Sequence, residues 1–278
     1  PFDVDSDYSG NIYASATNWH KITKYNSNDE LTLTIQGVGK LSALEQNGYS
    51  TVYAPHGTAV DDSTGDIYSV TWAGFVQKFD GAGNYITHWG EKGSNDGQFN
   101  QPNGIATDSD GNVYVADRLN HRIQKFDGVG NHLLSFGELG RENGQFDWPS
   151  KVSVDDTNNV YVADSYNSRI QKFDVMGNHL LTIKMPDSDS MDWVADVDTD
   201  SEGNITSITL STGEILTAEI YIFAAGAGNA TLLKNAKVAN ISMQRRPLHQ
   251  VAAKGNLPSI YAHAVSIRSA SKPRLTIT

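Results

Sequence analysis

The stretch GNVYVADRLNHRIQKFDGVGNHLLSFG, residues 111–137, alternates apolar and polar residues and is interrupted by Gly and Asn. Such alternation is typical of short, half-buried β-strands joined by tight turns. The stretch also holds Asp117, Asn120 and Arg122 at close spacing. This combination fits either a ligand site or the framework of a repeated structural unit, and the rest of the chain distinguishes the two.

The stretch recurs with a period of 47 residues, the distance from Tyr114 to Tyr161. The same spacing separates Lys78, Lys125 and Lys172, and also Pro55, Pro102 and Pro149. Residues 10–26 and 65–80 are earlier copies, and residues 192–208 match the start of a later one. Each copy predicts four strands, and a four-stranded unit at this period is typical of a β-propeller blade. We therefore predict an all-β fold, a β-propeller of four-stranded blades that cover one another's faces.

The repeated pattern G-Q-F-x-x-P-x-G-I-A-x-D-x-x-G-N-V-Y-V-A-D-x-x-N-x-R-I-Q-K-F resembles the NHL repeat, closely over residues 97–180 and in degraded form over residues 1–96. This resemblance implies a propeller, usually of six blades. We assign residues 1–191 to four NHL-type blades. Residues 192–278 hold the start of a fifth blade and an atypical C-terminal segment, a length that fits six blades in total.

Residues 205–278 depart from the repeat. They resemble an internal fragment of FAD-dependent oxidoreductases of the amino-acid and glycerol-phosphate type, in IYIFAAGAGNATLL (220–233), RRPLHQV (245–251) and KPRLTIT (272–278). Flavin binding in such proteins requires an N-terminal strand–GxGxxG–helix unit, which does not open this chain. We expect no bound FAD. The segment either closes the propeller or is an appended flavoprotein-like fragment, and the junction at DSEGNI (200–205) suggests a natural fusion or an artefactual join.

Charge is distributed unevenly along the chain. The net charge is −11, all 32 Asp and Glu lie at or before Glu219, and residues 220–278 carry eight basic residues. An acidic body argues against nucleic-acid binding, whereas the contrast with the basic segment suggests head-to-tail self-association.

The sequence gives few signals of location. It has no cysteine, which excludes disulfides and cysteine–zinc sites. No apolar run approaches the ~20 residues of a membrane-spanning helix. The start at Pro1 fits either a removed signal peptide or a trimmed sequence. We predict an extracellular or cell-surface protein, with a cytoplasmic location as the alternative.

The set Asp117, Asn120 and Arg122 returns as Asp164, Asn167 and Arg169. Because the set repeats at the turn between the second and third strands, we interpret it as blade architecture. The carboxylate would accept backbone N–H groups, and the guanidinium would bridge to it or to the next blade. A ligand site is the alternative.

Three acidic turns, residues 3–11, 107–112 and 196–204, resemble calcium-binding loops. They lack the Glu that the helical calcium loop places at its twelfth position. Asp-Gly-Asn between alternating strands is also ordinary hairpin-turn chemistry. We interpret these segments as turns and keep Asp108 and Asp110 as candidates for calcium.

His56 lies at the predicted start of an innermost strand, where side chains face the central channel. Propeller lyases that cleave peptidyl-hydroxyglycine are similar to this fold, and the resemblance implies zinc held by histidines in such PHG segments. Zinc needs three or four converging ligands, but the matching positions here are Asn103 and Ser150, and His249 lies in the atypical segment. We predict channel-lining or ligand-contacting roles for His56, Asn103 and Ser150, with zinc at His56 as the alternative.

These observations favour a non-enzymatic binding or scaffolding propeller whose partner is a protein or a second copy of the chain. We assign no catalytic residue and no cofactor. One alternative is a metal-dependent lyase or hydrolase with its site at the central channel. A second is a remnant FAD-dependent oxidoreductase.

Overall fold

The computed structural model describes residues 3–37, 52–184, 194–199, 205–210 and 215–216. These residues form four antiparallel four-stranded sheets and one three-stranded sheet, in chain order. The prediction of an all-β propeller with four-stranded blades is confirmed. Residues 217–278 lie outside the described part, so six blades and the flavoprotein-like segment stay predictions.

Each blade is a meander in which strands pair with their neighbours in sequence. Blade 1 consists of β1 (Asp3–Ser6), β2 (Ile12–Ala16), β3 (Lys21–Tyr25) and β4 (Leu31–Gln36). Blade 2 consists of β5 (Pro55–Val60), β6 (Ile67–Thr71), β7 (Phe75–Phe79) and β8 (Tyr85–Trp89). Blade 3 consists of β9 (Ile105–Thr107), β10 (Val113–Asp117), β11 (Arg122–Phe126) and β12 (His132–Phe136). Blade 4 consists of β13 (Pro149–Val154), β14 (Val160–Asp164), β15 (Arg169–Phe173) and β16 (His179–Lys184). The three-stranded sheet consists of β17 (Val194–Thr199), β18 (Ile205–Leu210) and β19 (Ile215–Leu216).

The first strand of each sheet is the innermost. Strands β1, β5, β9, β13 and β17 pack against one another in that order, which places them around the central axis of the propeller. The approach is close, because a Cβ atom built on Gly104 would lie 2.6 Å from the Cα atom of Lys151. Real Cβ atoms essentially never come so near, so this position directly before β9 requires glycine.

The hydrophobic core lies between the sheets, in four separate layers. The layer between blades 2 and 3, for example, contains Tyr68, Val76, Phe99, Val115 and Phe126, all fully buried. Equivalent clusters lie between blades 1 and 2, between blades 3 and 4, and between blade 4 and the three-stranded sheet. A blade that has an apolar residue on each face gains stability from both neighbours.

The turn between the second and third strands is a short 3₁₀ helix in three blades. These helices span Thr17–Trp19, Arg118–Asn120 and Ser165–Asn167, and each ends on a residue in the left-handed region. These turns all lie at one end of the blades, and they carry Arg118 and Tyr166. No helix in the described part is long and apolar enough to cross a membrane.

Candidate functional site

Asp117 lies at the centre of a buried hydrogen-bond network in blade 3. Its carboxylate accepts from the backbone N–H of Asn100 (2.7 Å), the Asn120 amide (2.8 Å), the Arg122 Nε (2.9 Å) and the Gln124 amide (3.0 Å). The Asp117 side chain is fully buried, and burial raises its pKa although these donors and the nearby guanidinium act to lower it. Such a set of donors compensates the desolvation of the carboxylate.

The donors of this network also hold the segment that leads into blade 3. Arg122 donates to the carbonyls of Asn95 (2.7 Å) and Gln98 (3.1 Å), and Asn120 donates to the carbonyl of Gly93 (2.8 Å). The network therefore fastens the connection between two blades as well as the local turn.

Blade 4 contains the same arrangement. Asp164 accepts from Asn167 (2.9 Å), the Arg169 Nε (2.6 Å) and Gln171 (3.1 Å), and Arg169 donates to the carbonyls of Glu142 and Gln145 (both 2.8 Å). The structure thus brings together each predicted trio and uses the polar groups of both in contacts within the fold. Gln124 and Gln171 belong to the network and were missed, although both stand in the repeated RIQKF.

The acidic turn at residues 107–112 is likewise filled by contacts within the chain, whereas residues 200–204 of the third predicted turn lie outside the described part. Asp108 accepts from the Asn112 amide (2.9 Å) and the Tyr114 hydroxyl (3.1 Å), and forms an ion pair with Lys125 (3.2 Å). Asp110, at the exposed end of the turn, accepts from the Asn158 amide (3.1 Å). Within the described ranges, no three His, Cys, Asp or Glu side chains are arranged to hold a metal ion.

His56, Asn103 and Ser150 occupy equivalent places at or just before the innermost strands of blades 2, 3 and 4. The His56 ring stacks on Trp72 with centroids 4.0 Å apart, and Ser150 accepts a hydrogen bond from the Ser165 hydroxyl (2.7 Å). Asn103 donates its backbone N–H to the carbonyl of Ala116, while its side-chain Oδ1 is buried without a hydrogen-bond partner. Burial, followed by the positive charge of Arg118, lowers the pKa of His56 to about 4, so the ring is neutral at pH 7.

A line of stacked side chains crosses blades 2 to 4 above these residues. The guanidinium carbon of Arg118 lies 4.2 Å from the ring centroid of Trp148 and 5.9 Å from that of Trp72. Trp148 in turn stacks on Tyr166 with centroids 4.4 Å apart. We call Trp72, Arg118, Trp148 and Tyr166 the aromatic–arginine cluster.

The cluster is reachable from solvent. Trp72 is 40% exposed and Tyr166 is 48% exposed. Trp72 and Arg118 both directly follow the second strand of their blades, whereas Trp148 directly precedes the innermost strand of blade 4. Aromatic side chains and arginine are the residue types most enriched in the energetic centres of protein interfaces.

Sequence reasoning missed the cluster because its members are not part of the repeat. Trp148 stands where the other blades have Ala54 and Gln101 before the proline, and Trp72 stands where blade 4 has Ser165. Large side chains at positions that vary between otherwise similar copies are the signal that could have identified them.

A second set of charged side chains lies near the central axis, on the innermost strands. Lys151 of β13 forms an ion pair with Asp3 of β1, and its Nζ lies 3.9 Å from Asp196 of β17. Burial raises the pKa of Asp5 to about 7 and that of Asp196 to about 6, although the charge of Lys151 acts to lower both. Lys151 therefore connects the first, fourth and fifth sheets through charge.

Comparison with known proteins agrees with this architecture. The sequence profile of the NHL repeat matches residues 99–126 and 146–173. Among solved structures, virginiamycin B lyase from Staphylococcus aureus superposes with a TM-score of 0.55 at 14% identity, covering 81% of this chain and 72% of that one. Hydrazine synthase from Kuenenia stuttgartiensis gives 0.54 at 16% identity, covering 82% and 58%. A streptogramin B lyase gives 0.54 at 17% identity, covering 81% and 70%.

A curated protein also matches part of the chain. It is a probable FAD-dependent oxidoreductase of Pseudomonas aeruginosa, 40% identical over 67 residues. The match covers 24% of this chain and 17% of that protein, so the chain spans about a sixth of the length of this relative. The likeness is that of a fragment. The repeats and the sheets carry the assignment: this chain contains NHL repeats and has the fold of an all-β propeller with four-stranded blades.

Proposed function

We propose that this chain is a non-enzymatic binding propeller whose protein partner docks on the aromatic–arginine cluster. The observation that carries the proposal is the exposure of Trp72 and Tyr166 beside Arg118 at one end of three adjacent blades. Binding surfaces are commonly built from loops held by a rigid scaffold.

The scaffold supports this role because the carboxylates of its two buried networks are already engaged in contacts within the fold. The networks of Asp117 and Asp164 fasten the segments between blades, which holds the turns that present Arg118 and Tyr166 in fixed positions. A surface that is ordered before binding loses less conformational entropy on association.

A peptide-display selection on the immobilised protein tests the proposal. We expect the selected peptides to bind the Trp72→Ala variant at least about 30-fold more weakly than the native protein. This ratio corresponds to a loss of about 2 kcal/mol in binding free energy, which is typical when an aromatic residue at the centre of an interface is truncated. Trp19→Ala is the matched control, because Trp19 is 72% exposed and lies beside Lys21 in a similar cation–π contact, outside the cluster. Selected peptides that bind both variants equally well would refute the proposal.

A metal-dependent lyase or hydrolase is the second candidate. His56 favours it, since a histidine lies at the start of an innermost strand beside the cluster. Metal analysis of the purified protein, repeated on His56→Ala, tests this candidate. Zinc or calcium bound in stoichiometric amount and lost in the variant would support it, and the same metal content in both proteins would exclude a site at His56.

Self-association is a separate proposal that rests on charge. The eight basic residues of 220–278 would contact the acidic body of a neighbouring copy. Native mass measured at low and high salt tests it, because such contacts weaken as salt screens them. A monomer at every salt concentration would contradict this proposal.

A further inference from the structure

We propose that Arg118 is the anion-binding centre of the cluster and takes a carboxylate of a peptide ligand, with the neighbouring peptide side chain packed on the exposed aromatic rings. This inference rests on the proposed binding function and names the chemistry that the surface recognises.

The position of the guanidinium is the first argument. Arg118 lies over the ring of Trp148 and beside that of Trp72. Among the described residues, none accepts a hydrogen bond from the guanidinium N–H groups of Arg118, which leaves the N–H edge available. That edge matches the two oxygens of a carboxylate, which it binds with two parallel hydrogen bonds.

The charge of Arg118 has no carboxylate partner among the residues that the structure describes. None of the ion pairs formed among residues 3–37, 52–184 and 194–199 includes Arg118. In contrast, Arg122 and Arg169 are held by Asp117 and Asp164. Burial lowers the pKa of Arg118, which reflects the loss of hydration of its charge. An incoming anion would restore this lost stabilisation.

The surroundings favour a single carboxylate over a polyanion. The neighbouring His56 has a pKa of about 4 and is neutral at pH 7, so it adds no positive charge beside Arg118. Binding to a nucleic-acid backbone requires clustered Lys and Arg, and the chain has a net charge of −11. The site offers one guanidinium beside two aromatic rings. A peptide with one acidic side chain between aromatic residues matches this site better than a nucleic-acid backbone with its row of phosphates.

Two short peptides test the inference by isothermal titration at low salt: acetyl-Phe-Glu-Phe-amide and acetyl-Phe-Gln-Phe-amide. We expect the native protein to bind the Glu peptide about 10-fold more tightly than the Gln peptide. This ratio corresponds to the lower end of the range of free energies for a hydrogen bond to a charged group. Arg118→Gln should abolish this preference. Arg118→Lys should retain part of it, because it keeps the charge and loses the planar fork. Arg141→Gln is the control, since Arg141 is exposed and the charge change is identical.

Several results would overturn the inference. Equal affinity for the two peptides in the native protein would do so, as would a preference that survives Arg118→Gln. Binding of a ten-residue oligothymidine that depends on Arg118 and exceeds that of the Glu peptide would instead identify a nucleic-acid site. If display-selected peptides still require Trp72 in any of these cases, the carboxylate inference fails while the proposed binding function stands. If no selected peptide requires Trp72, the function fails as well.

Discussion

Lys151→Met is the perturbation that tests how the propeller is held together at its axis. The side chain of Lys151 is 11% exposed and pairs with Asp3 of the first blade. Its Nζ also lies 3.9 Å from an oxygen of Asp196 in the three-stranded sheet. Methionine keeps most of the volume of lysine and removes the charge, so packing around Gly104 is preserved while the electrostatic link is lost.

The expected loss is large because the partners are themselves buried. At an effective dielectric constant of about 20, two unit charges 3.9 Å apart attract by about 4 kcal/mol. Removing one member of a buried ion pair leaves an uncompensated charge and destabilises proteins by about 3–5 kcal/mol. We expect Lys151→Met to lower the free energy of unfolding by about this amount at pH 8.

The effect should depend on pH in a definite direction. In the folded protein the pKa is about 7 for Asp5 and about 6 for Asp196, above the unfolded value of 3.8. Groups with a raised folded pKa favour the folded state at low pH, and this contribution is lost between about pH 4 and pH 7. Without Lys151 the pKa values of both carboxyl groups should rise further. Protonation of these groups at pH 5 then removes more unfavourable charge from the variant than from the native protein, so Lys151→Met should destabilise less at pH 5 than at pH 8.

Urea unfolding at pH 5 and pH 8 measures the difference between native protein and variant. Lys184→Met is the control, because Lys184 is exposed at the end of an outer strand and should change stability little at either pH. A destabilisation by Lys151→Met that is the same at both pH values, or below about 1 kcal/mol at pH 8, would refute the electrostatic link.

Three further predictions concern the blade network, the strand packing and the cluster. Asp117→Ala should destabilise by about 3–5 kcal/mol in urea unfolding, because it removes a buried carboxylate that holds an arginine. The same change at the partly exposed turn residue Asp127 should have a much smaller effect. Gly104→Ala should destabilise by about 1–3 kcal/mol, since a Cβ atom would collide with β13, and a melting temperature equal to that of the native protein would contradict the observed packing. The imidazole of His56 should titrate near pH 4 when followed by NMR. In Arg118→Gln it should titrate at higher pH, because a nearby positive charge is removed. A midpoint of about 6.5 in the native protein would show that the ring is not buried.

Much of the fold could be predicted from the sequence because the determining signals are local. The repeated strands alternate with a period of two residues, and Gly and Asn mark their turns, as at residues 111–137. The 47-residue spacing of Lys78, Lys125 and Lys172 then gave the length of the repeating blade. Residues 217–278 follow no such pattern, and they lie outside the described part of the chain.

The candidate site was less accessible to sequence reasoning. The trio of Asp117, Asn120 and Arg122 was recognised because it repeats, but the carbonyls that Arg122 contacts are 24 and 27 residues away. His56 was singled out for a possible metal, whereas its ring stacks on Trp72. Neither contact joins neighbours in the sequence, so neither could be assigned before the segments were placed side by side in the fold.

The amino-acid sequence was sufficient to predict the blade, its four strands and the order in which blades follow one another, because period-two alternation and turn residues act over a few positions. The tertiary structure alone decided which side chains meet across blades. Trp72, Arg118 and Trp148 belong to three successive repeats and come together because those repeats stack around one axis. Lys151 and Asp3 are 148 residues apart and pair at that axis for the same reason.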